Sequence, residues 1–454
     1  MFIKNLVINL NSRLNKISLK KIFILYFFYI LIIVTLSNIY VYLVIQYNPS
    51  IIDEKYNLLY SKIPFGYGPL LENIIQHNNF FVVRHDNIIY YLSRLPFHTL
   101  FLALIIKINS NIFFVYGLKN FFLYSFFFFI TFISIKNNKK NIFFFVLLLF
   151  LILINYYNLH VSLSIDFEDC YLTILIPCLF LLLISKYNIN KKLFYISIIL
   201  FILYLTKTSM FFLVITIPII ILFLYKEFLL SKFLPILFVF SAIMIWGVYG
   251  YSKTGKFPFF KSSISNNTEG LTAIMNNNFK NYYPKISVDL IPDAYAIVED
   301  RKKIQLNNEW DVYYYFEKIN KEYLEKNKIE YFYYNLISKI KFIFFNIYKD
   351  NVHPDKFGNY SNPFLTSYLI NKIILNISFF SSLIIFLNSL YKKKFEKTEF
   401  YFLSIFFLNL LPHLIGWATA KHLVPISNVA LIYLLFRYKI ILNSYVKMIK
   451  FNRR

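Results

Sequence analysis

The fold class this sequence predicts is an all-α polytopic membrane protein, and three observations predict it. Of its 454 residues, 58% are hydrophobic and 16% charged, with 54 Phe and 39 Tyr. A soluble chain of this length would split into two or three domains, each roughly a quarter charged. The apolar residues gather into runs near the ~20 residues that a helix needs to cross a bilayer. The 48 Lys and Arg against 23 Asp and Glu give a net charge of +25, with lysine clusters between the runs. In a membrane protein such an excess marks the cytoplasmic loops rather than a nucleic-acid surface. This composition excludes a soluble multi-domain enzyme, a disordered chain and a nucleic-acid binder.

The elements follow in order. Lys4, Arg13, Lys16, Lys20 and Lys21 precede an apolar stretch at 22–45. That stretch is long for a signal-peptide core and has no small-residue cleavage site after it, so it reads as an uncleaved signal anchor. Further spans are expected at 112–135, 142–157, 170–184, 193–205, 210–224, 233–251, 366–390, 400–418 and 423–436. The stretch 94–108 is apolar over only about a dozen residues, too short for a crossing and suited to an interfacial helix. Parity supports this reading. With 94–108 not crossing, five lysine-rich connections share the side of the N-terminus: Lys136/Lys139/Lys140, Lys186/Lys191/Lys192, Lys226/Lys232, Lys392/Lys393/Lys394/Lys397 and the tail from Arg437. The positive-inside bias then makes both termini cytoplasmic in a multi-pass protein of the cell (inner) membrane.

The expected architecture is a bundle of about ten transmembrane helices in three parts. Residues 1–251 form an N-terminal transmembrane module with outer loops at 46–111 and 158–169. Residues 252–365 form a polar extracytoplasmic segment, with helical periodicity from Glu309 onward and an aromatic face of Tyr313, Phe316 and Tyr323. Residues 366–454 hold the last transmembrane helices and a basic tail. Cys170 and Cys178 lie eight residues apart in one apolar run, so neither a disulfide framework nor a thiolate metal site is available. His77, His85, His98, His160, His353 and His413 are scattered, with no pair spaced for a metal on one helix face. There is no phosphate-binding glycine loop, zincin motif or serine-hydrolase elbow.

Acidic residues are scarce, which makes their positions informative. Asp53 and Glu54 follow the first span, while Asp166, Glu168 and Asp169 precede the span near Cys170, on the same expected face. Either cluster alone reads as solvated loop acids. Two on one side point to a shared site, because ionisable groups at the edge of a bundle are costly and often functional. Cations join them on that face: Arg84, Arg94, Lys207, Lys421 and His422. Singly they read as snorkelling side chains. Together they oppose the charge bias and suit an anionic, lipid-linked phosphate.

The order of these parts resembles the GT-C superfamily of membrane glycosyltransferases, in the branch of protein O-mannosyltransferases and lipid A aminoarabinose transferases. Ile52-Asp53-Glu54-Lys55-Tyr56 resembles the acidic motif of the family's first outer loop. Arg94-Leu95-Pro96-Phe97-His98-Thr99-Leu100-Phe101-Leu102-Ala103-Leu104 is similar to its juxtamembrane segment. Glu168 and Asp169 match the second acidic motif, Leu205-Thr206-Lys207-Thr208 a Leu-Thr-[Lys/Arg]-Pro corner, and the stretch from Lys421 to Pro425 a late Arg-Tyr-x-x-Pro motif. Prolines expected at 95, 99 and 208 are missing, and Phe97-His98 replaces a Gly-Tyr-like pair.

The resemblance implies a transferase that moves a sugar, with inversion, from a polyprenyl-phosphate donor to a glycan, lipid or protein acceptor at the outer face. It implies Asp53 as base, with Glu54 as fallback. Glu168 and Asp169 become positioning acids, and Arg84, Arg94, Lys207, Lys421 and His422 phosphate contacts. No nucleotide site is implied, because the donor is already activated, and no metal site or cofactor is assigned. The alternatives are a surface-polysaccharide polymerase or ligase, which would depend on outer arginines but not on Asp53, and a lipid-linked-sugar flippase, which would place ionisable groups mid-span.

Overall fold

The computed structural model describes residues 19–47, 49, 52–53, 55, 58–59, 67–83, 88–137, 142–154, 156–165, 168–224, 230–259, 307–326, 328–331, 340, 343–344, 362–415 and 420–451. These residues are mostly helical, with two hairpins of two residues per strand and short connecting turns. Helix α1 spans Leu19–Tyr47. Strands β1 (Ile52–Asp53) and β2 (Leu58–Leu59) pair antiparallel. Helix α2 (Gly68–His77) follows, then the hairpin of β3 (Val82–Val83) and β4 (Ile89–Tyr90).

Next come α3 (Pro96–Ile108), α4 (Ile112–Asn137), α5 (Ile142–Ile154), α6 (Tyr156–Leu163), α7 (Asp169–Ile184), α8 (Ile189–Thr206), α9 (Phe211–Leu224) and α10 (Leu234–Thr254). The segment 252–365 contributes α11 (Glu309–Lys326) and α12 (Lys328–Tyr331). The chain closes with α13 (Asn362–Tyr391), α14 (Lys397–Ile415) and α15 (Val424–Phe451).

Five helical stretches are long and apolar enough to cross a membrane by length and composition: 20–46, Ile112–Lys136, Ile189–Thr206, Leu230–Thr254 and Thr366–Tyr391. Shorter apolar helices lie at Pro96–Ile108, Asp169–Ile184, Thr208–Leu224 and Val424–Arg437. This is an all-α architecture of multi-pass membrane character.

Two details differ from the sequence reading. Where one span was expected at 142–157, there are two helices, α5 and α6, which together supply about 31 Å of helix. The expected tail beyond Arg437 is instead a continuation of α15 to Phe451. The apolar pattern ends at Arg437, but the chain beyond it contains no proline or glycine to stop the helix.

Helix α7 is the centre of the molecule. Every residue from Asp169 to Leu183 is buried, and α4, α6, α8, α14 and α15 pack around it. Lipid tails are as apolar as leucine, so packing and interhelical hydrogen bonds hold such a bundle together. Asn120 donates to Ser37 (2.9 Å), joining α4 to α1. Asn158 donates to Asn428 (2.6 Å), which donates to the Thr173 carbonyl (3.0 Å), linking α6, α15 and α7. Phe402 meets both Phe180 and Tyr433. Thr173 is therefore level with Asn428, and Phe180 with Tyr433, so α7 and α15 run in the same direction.

The helix ends sort by charge. Lys136 and the connections at Lys186/Lys191/Lys192, Lys232 and Lys392/Lys393/Lys394 share one end, where Ser231 meets Asn190 (2.7 Å) and Arg437 meets Glu396 and Glu399. Glu168 and Asp169 stand at the other. Helix α3 is about 20 Å long, shorter than the ~30 Å apolar core of a bilayer. It buries His98, Thr99, Leu102 and Ala103 and exposes Leu100, Leu104 and Ile108 on one stripe.

Candidate functional site

The acid end of α7 is built by local rules. Glu168 occupies the N-cap position without a side-chain capping hydrogen bond, and Asp169 opens the first turn, where the positive end of the helix dipole favours carboxylates. Arg94 precedes Leu95 and Pro96, and the fixed φ of a proline at the first helical position starts α3 there. Lys207 stands where α8 ends: its backbone is extended (φ −151°, ψ 130°), and a 3₁₀ turn at Thr208–Met210 leads into α9. The corner forms without the proline that the family motif places at 208.

These segments converge on α7. The Arg94 guanidinium lies 3.4 Å from Glu168 Oε1 and 5.3 Å from the centre of the Tyr67 ring. Lys207 Nζ lies 2.5 Å from Asp169 Oδ1. The Asp169 side chain is 1% exposed and that of Lys207 15%, so this pair is largely desolvated. Lys207 also borders a narrow cleft, too tight to admit a water molecule, with Leu95, Tyr204, Thr208 and Phe211.

Burial alone would raise the pKa of Glu168. The charges of Arg94 and then Lys207, with the nearby Tyr67 hydroxyl, overcome it and hold the carboxyl at about 2. Tyr67 moves the other way: burial, then the Glu168 charge, push its phenol well above the usual value. His98 shares its two ring nitrogens between the Tyr171 hydroxyl and the Ile165 carbonyl, at 3.0 Å each. Burial lowers its pKa to about 4, so the ring is neutral at ordinary pH. It stands against Tyr67 with ring centres 4.3 Å apart, and so braces both α7 and the Arg94–Glu168 pair.

Two supports were not legible as such in the sequence. Lys119, fully buried in α4, donates to the carbonyls of Ser162 and Ser164 at 2.9 Å each. It thereby closes the C-terminal end of α6, where the backbone carbonyls favour a cation. Glu309, at the start of α11, accepts from the backbone N–H of Leu92 (3.1 Å) and Tyr91 (3.3 Å), two and three residues before Arg94. The start of α11 is thus tied to the stretch between β4 and Arg94. Lys256 reinforces the tie by standing over the rings of Trp310 and Tyr314. The start of the segment 252–365 folds back on α10, where a Cβ at Gly247 would collide with Phe257 and one at Gly250 with Pro258. Tyr204, at the Lys207 cleft, donates to the Phe259 carbonyl.

Of the residues singled out from sequence, Arg94, Glu168, Asp169 and Lys207 come together. Asp53 lies in β1, opposite Leu58, with its side chain outside the described residues. Glu54 and Arg84 lie outside the described residues, as do Asp166 and the side chain of Lys421. His422 is buried and stacks on His413, with ring centres 4.0 Å apart. The histidines are therefore less scattered than their spacing implied, because the turn between α14 and α15 joins positions nine apart. Among the described residues, no three His, Cys, Asp or Glu form a group that could hold a metal ion.

Chemically, the site sets the side chains of Glu168 and Asp169 beside those of Arg94 and Lys207. Arg offers five N–H donors and Lys three, so both cations can keep their carboxylate and still contact an anion. No family model, curated protein or solved structure matches this chain.

Proposed function

We propose that this protein transfers a sugar from a polyprenyl-phosphate donor to an acceptor at the extracytoplasmic face of the cell membrane, in the manner of a GT-C-type glycosyltransferase. The observation that supports the reading best is the two adjacent acid–cation pairs, Arg94–Glu168 and Lys207–Asp169, drawn from three distant parts of the chain. In this reading the bundle makes ten crossings, both termini are cytoplasmic, and α3 lies along the outer interface.

The donor phosphate is held by Lys207 and Arg94, with Arg84, Lys421 and His422 as further candidates. An acceptor oxygen or nitrogen attacks the anomeric carbon from the face opposite the phosphate. The bond from carbon to phosphate oxygen breaks, its electron pair leaves with the phosphate, and the centre inverts. Fixed cations stabilise the charge growing on the leaving group. The acceptor's proton needs a base whose pKa lies near the operating pH. Glu168, held at about 2 and paired with Arg94, is poorly suited to that task. Asp169 is engaged by Lys207. The base therefore falls to Asp53 or Glu54, and Glu168 and Asp169 orient the cations and the acceptor.

A lipid-linked-sugar flippase is the second reading, favoured by Lys119 and Lys372, which are buried within helices. Reconstituted vesicles carrying a labelled lipid-linked donor separate the two: a transferase makes new product, and a flippase only moves label between leaflets. Asp53→Asn keeps the side chain's size and removes its basicity. It should lower transfer roughly 10²–10⁴-fold, the usual cost of losing a general base, with donor binding near normal. Wild-type transfer by both Asp53→Asn and Glu54→Gln would overturn the assignment of the base.

A further inference from the structure

Helix α11 begins with its own cap in place. The Asn308 side chain accepts from the N–H groups of Trp310 (2.9 Å) and Asp311 (3.1 Å). Asp311 Oδ2 in turn accepts from the Asn307 N–H (3.1 Å) and the Asn308 amide (2.8 Å). Donors of the first turn are thus met at the helix start itself. Glu309 is not needed for that purpose. It is 2% exposed, and its carboxylate accepts from the N–H groups of Leu92 and Tyr91, 217 and 218 positions away. Burying a carboxylate is costly unless hydrogen bonds hold it, and here two backbone amides of a distant segment do so.

The segment so held is the approach to Arg94. Leu92, Ser93 and Leu95 are buried, whereas the Arg94 side chain keeps 26% of its surface exposed. Helix α10 presses on Leu92 as well, since a Cβ at Gly250 would stand 3.2 Å from its Cδ2. Val312, three residues after Glu309, is buried with Val82, Ile88 and Tyr90 at the β3–β4 hairpin. Pro96 fixes the far end by starting α3. A chain spans at most about 3.6 Å per residue, so the Leu92 amide is within roughly 7 Å of chain from Arg94. Arg94 meets Glu168 at 3.4 Å, the long limit for such a contact, and a displacement of about 1 Å would break it.

We propose that Glu309 is a positioning residue for the donor phosphate: by holding the Tyr91 and Leu92 amides it fixes where the Arg94 guanidinium stands beside Glu168. It acts through the backbone from Tyr91 to Arg94 and not by touching the donor. The inference rests on the reading of Arg94 as a phosphate contact.

Equilibrium binding of a labelled polyprenyl phosphate to the full chain in detergent tests it, with no need of acceptor or turnover. Glu309→Gln keeps the side chain's size and removes its charge. It should raise the Kd about three- to tenfold with the number of binding sites unchanged, as a displaced charge-assisted contact does. A merely structural role would instead remove sites and leave the Kd of the remainder at the wild-type value. Arg94→Met should raise the Kd about tenfold or more, and adding Glu309→Gln to it should change nothing further, because both act on one contact. Hydrogen exchange at the Tyr91 and Leu92 amides should quicken in Glu309→Gln. Lys256→Met loosens the start of α11 through Trp310 and Tyr314 and should shift the Kd in the same direction, which keeps the test decisive if Glu309→Gln does not fold. Glu317→Gln, exposed on the same helix, should match the wild type. A wild-type Kd in Glu309→Gln, or in Lys256→Met where Glu309→Gln does not fold, would overturn the proposal. So would additive losses with Arg94→Met, or unchanged exchange at Tyr91 and Leu92. Binding that depends on Arg94 but not on Glu309 removes this proposal alone. The expected binding pattern without sugar transfer in vesicles removes the transferase reading alone, and a wild type that binds no polyprenyl phosphate removes both.

Discussion

The two ends of the bundle each carry an ion-pair network, and they differ in construction. At one end Arg437 donates to Glu396 (2.9 Å) and Glu399 (2.6 Å), and the Tyr433 hydroxyl donates to Glu399 (3.2 Å). Glu399, Tyr433 and Arg437 come from two consecutive helices, α14 and α15, and Glu396 immediately precedes α14. At the other end Arg94, Glu168, Asp169 and Lys207 come from three distant parts of the chain, brace the start of α7 and border a cleft. The first network is a latch between neighbours, and its chemistry is complete in itself. The second joins three segments of the chain to the first turn of α7. Buried ion pairs are weak evidence for stability, because desolvation offsets their attraction, so what each network is for must be read from what lies beside it.

The largest expected effect breaks the latch. Arg437→Met leaves Glu399 buried without its cation and should cost about 3–5 kcal/mol, read as a fall in the detergent unfolding midpoint. Adding Glu399→Gln should recover most of that loss and all function. Failure of the double variant to recover would show that this network is more than a latch.

The same pair of changes at the site should behave differently. Lys207→Met should destabilise the protein by uncovering Asp169, and Asp169→Asn should restore the fold. The double variant should still bind donor about tenfold or more weakly, because a phosphate contact is gone. Wild-type donor affinity in that variant would make the two networks equivalent and remove Lys207 from the site.

Acid sharpens the comparison further. Burial raises the pKa of Glu168, but Arg94, Lys207 and Tyr67 together lower it from 4.5 to about 2. A depressed carboxyl pKa contributes stability that is fully present above about pH 4.5 and lost as pH falls through about 2. Such a shift corresponds to roughly 3 kcal/mol. Glu168→Gln should flatten the unfolding midpoint across that window; an unchanged acid slope would mean that Arg94 does not hold the carboxylate.

The smallest effect is a reference. Lys55 and Glu72 meet at 2.6 Å, but their side chains are 56% and 38% exposed. Lys55→Ala should change stability by roughly 0–1 kcal/mol and leave transfer intact, measured by the same melts and vesicle assay. A larger effect would show that exposure is a poor guide to what these pairs do.

Arg94, Glu168, Asp169 and Lys207 were legible in the sequence because each breaks an apolar pattern or opposes the charge bias of its side. Their pairing was not. A carboxylate 38 or 74 positions from its cation carries no local signal, so Asp169 and Lys207 read as holders of different ligands until α7 and α8 packed side by side. Glu309 was missed as a support because an acid at a helix start is explained by the helix itself. Only docking against Tyr91 and Leu92 gives it a second task.

By itself the sequence determined the class of this protein. Apolar run length is set by bilayer thickness and lysine placement by membrane asymmetry, and both are local properties that survive without tertiary contacts. It also showed that α3 would be a short apolar helix. The tertiary structure decided which helix is central, where the expected span at 142–157 becomes two helices, and which charges meet. In a bundle whose helices are nearly all apolar, hydrophobicity cannot rank one neighbour over another, because lipid is as good a partner as leucine. Neighbours are chosen instead by a few polar contacts and by shape, such as Asn428 on Thr173, Lys119 on Ser162 and Lys207 on Asp169, which exist only once the helices have packed.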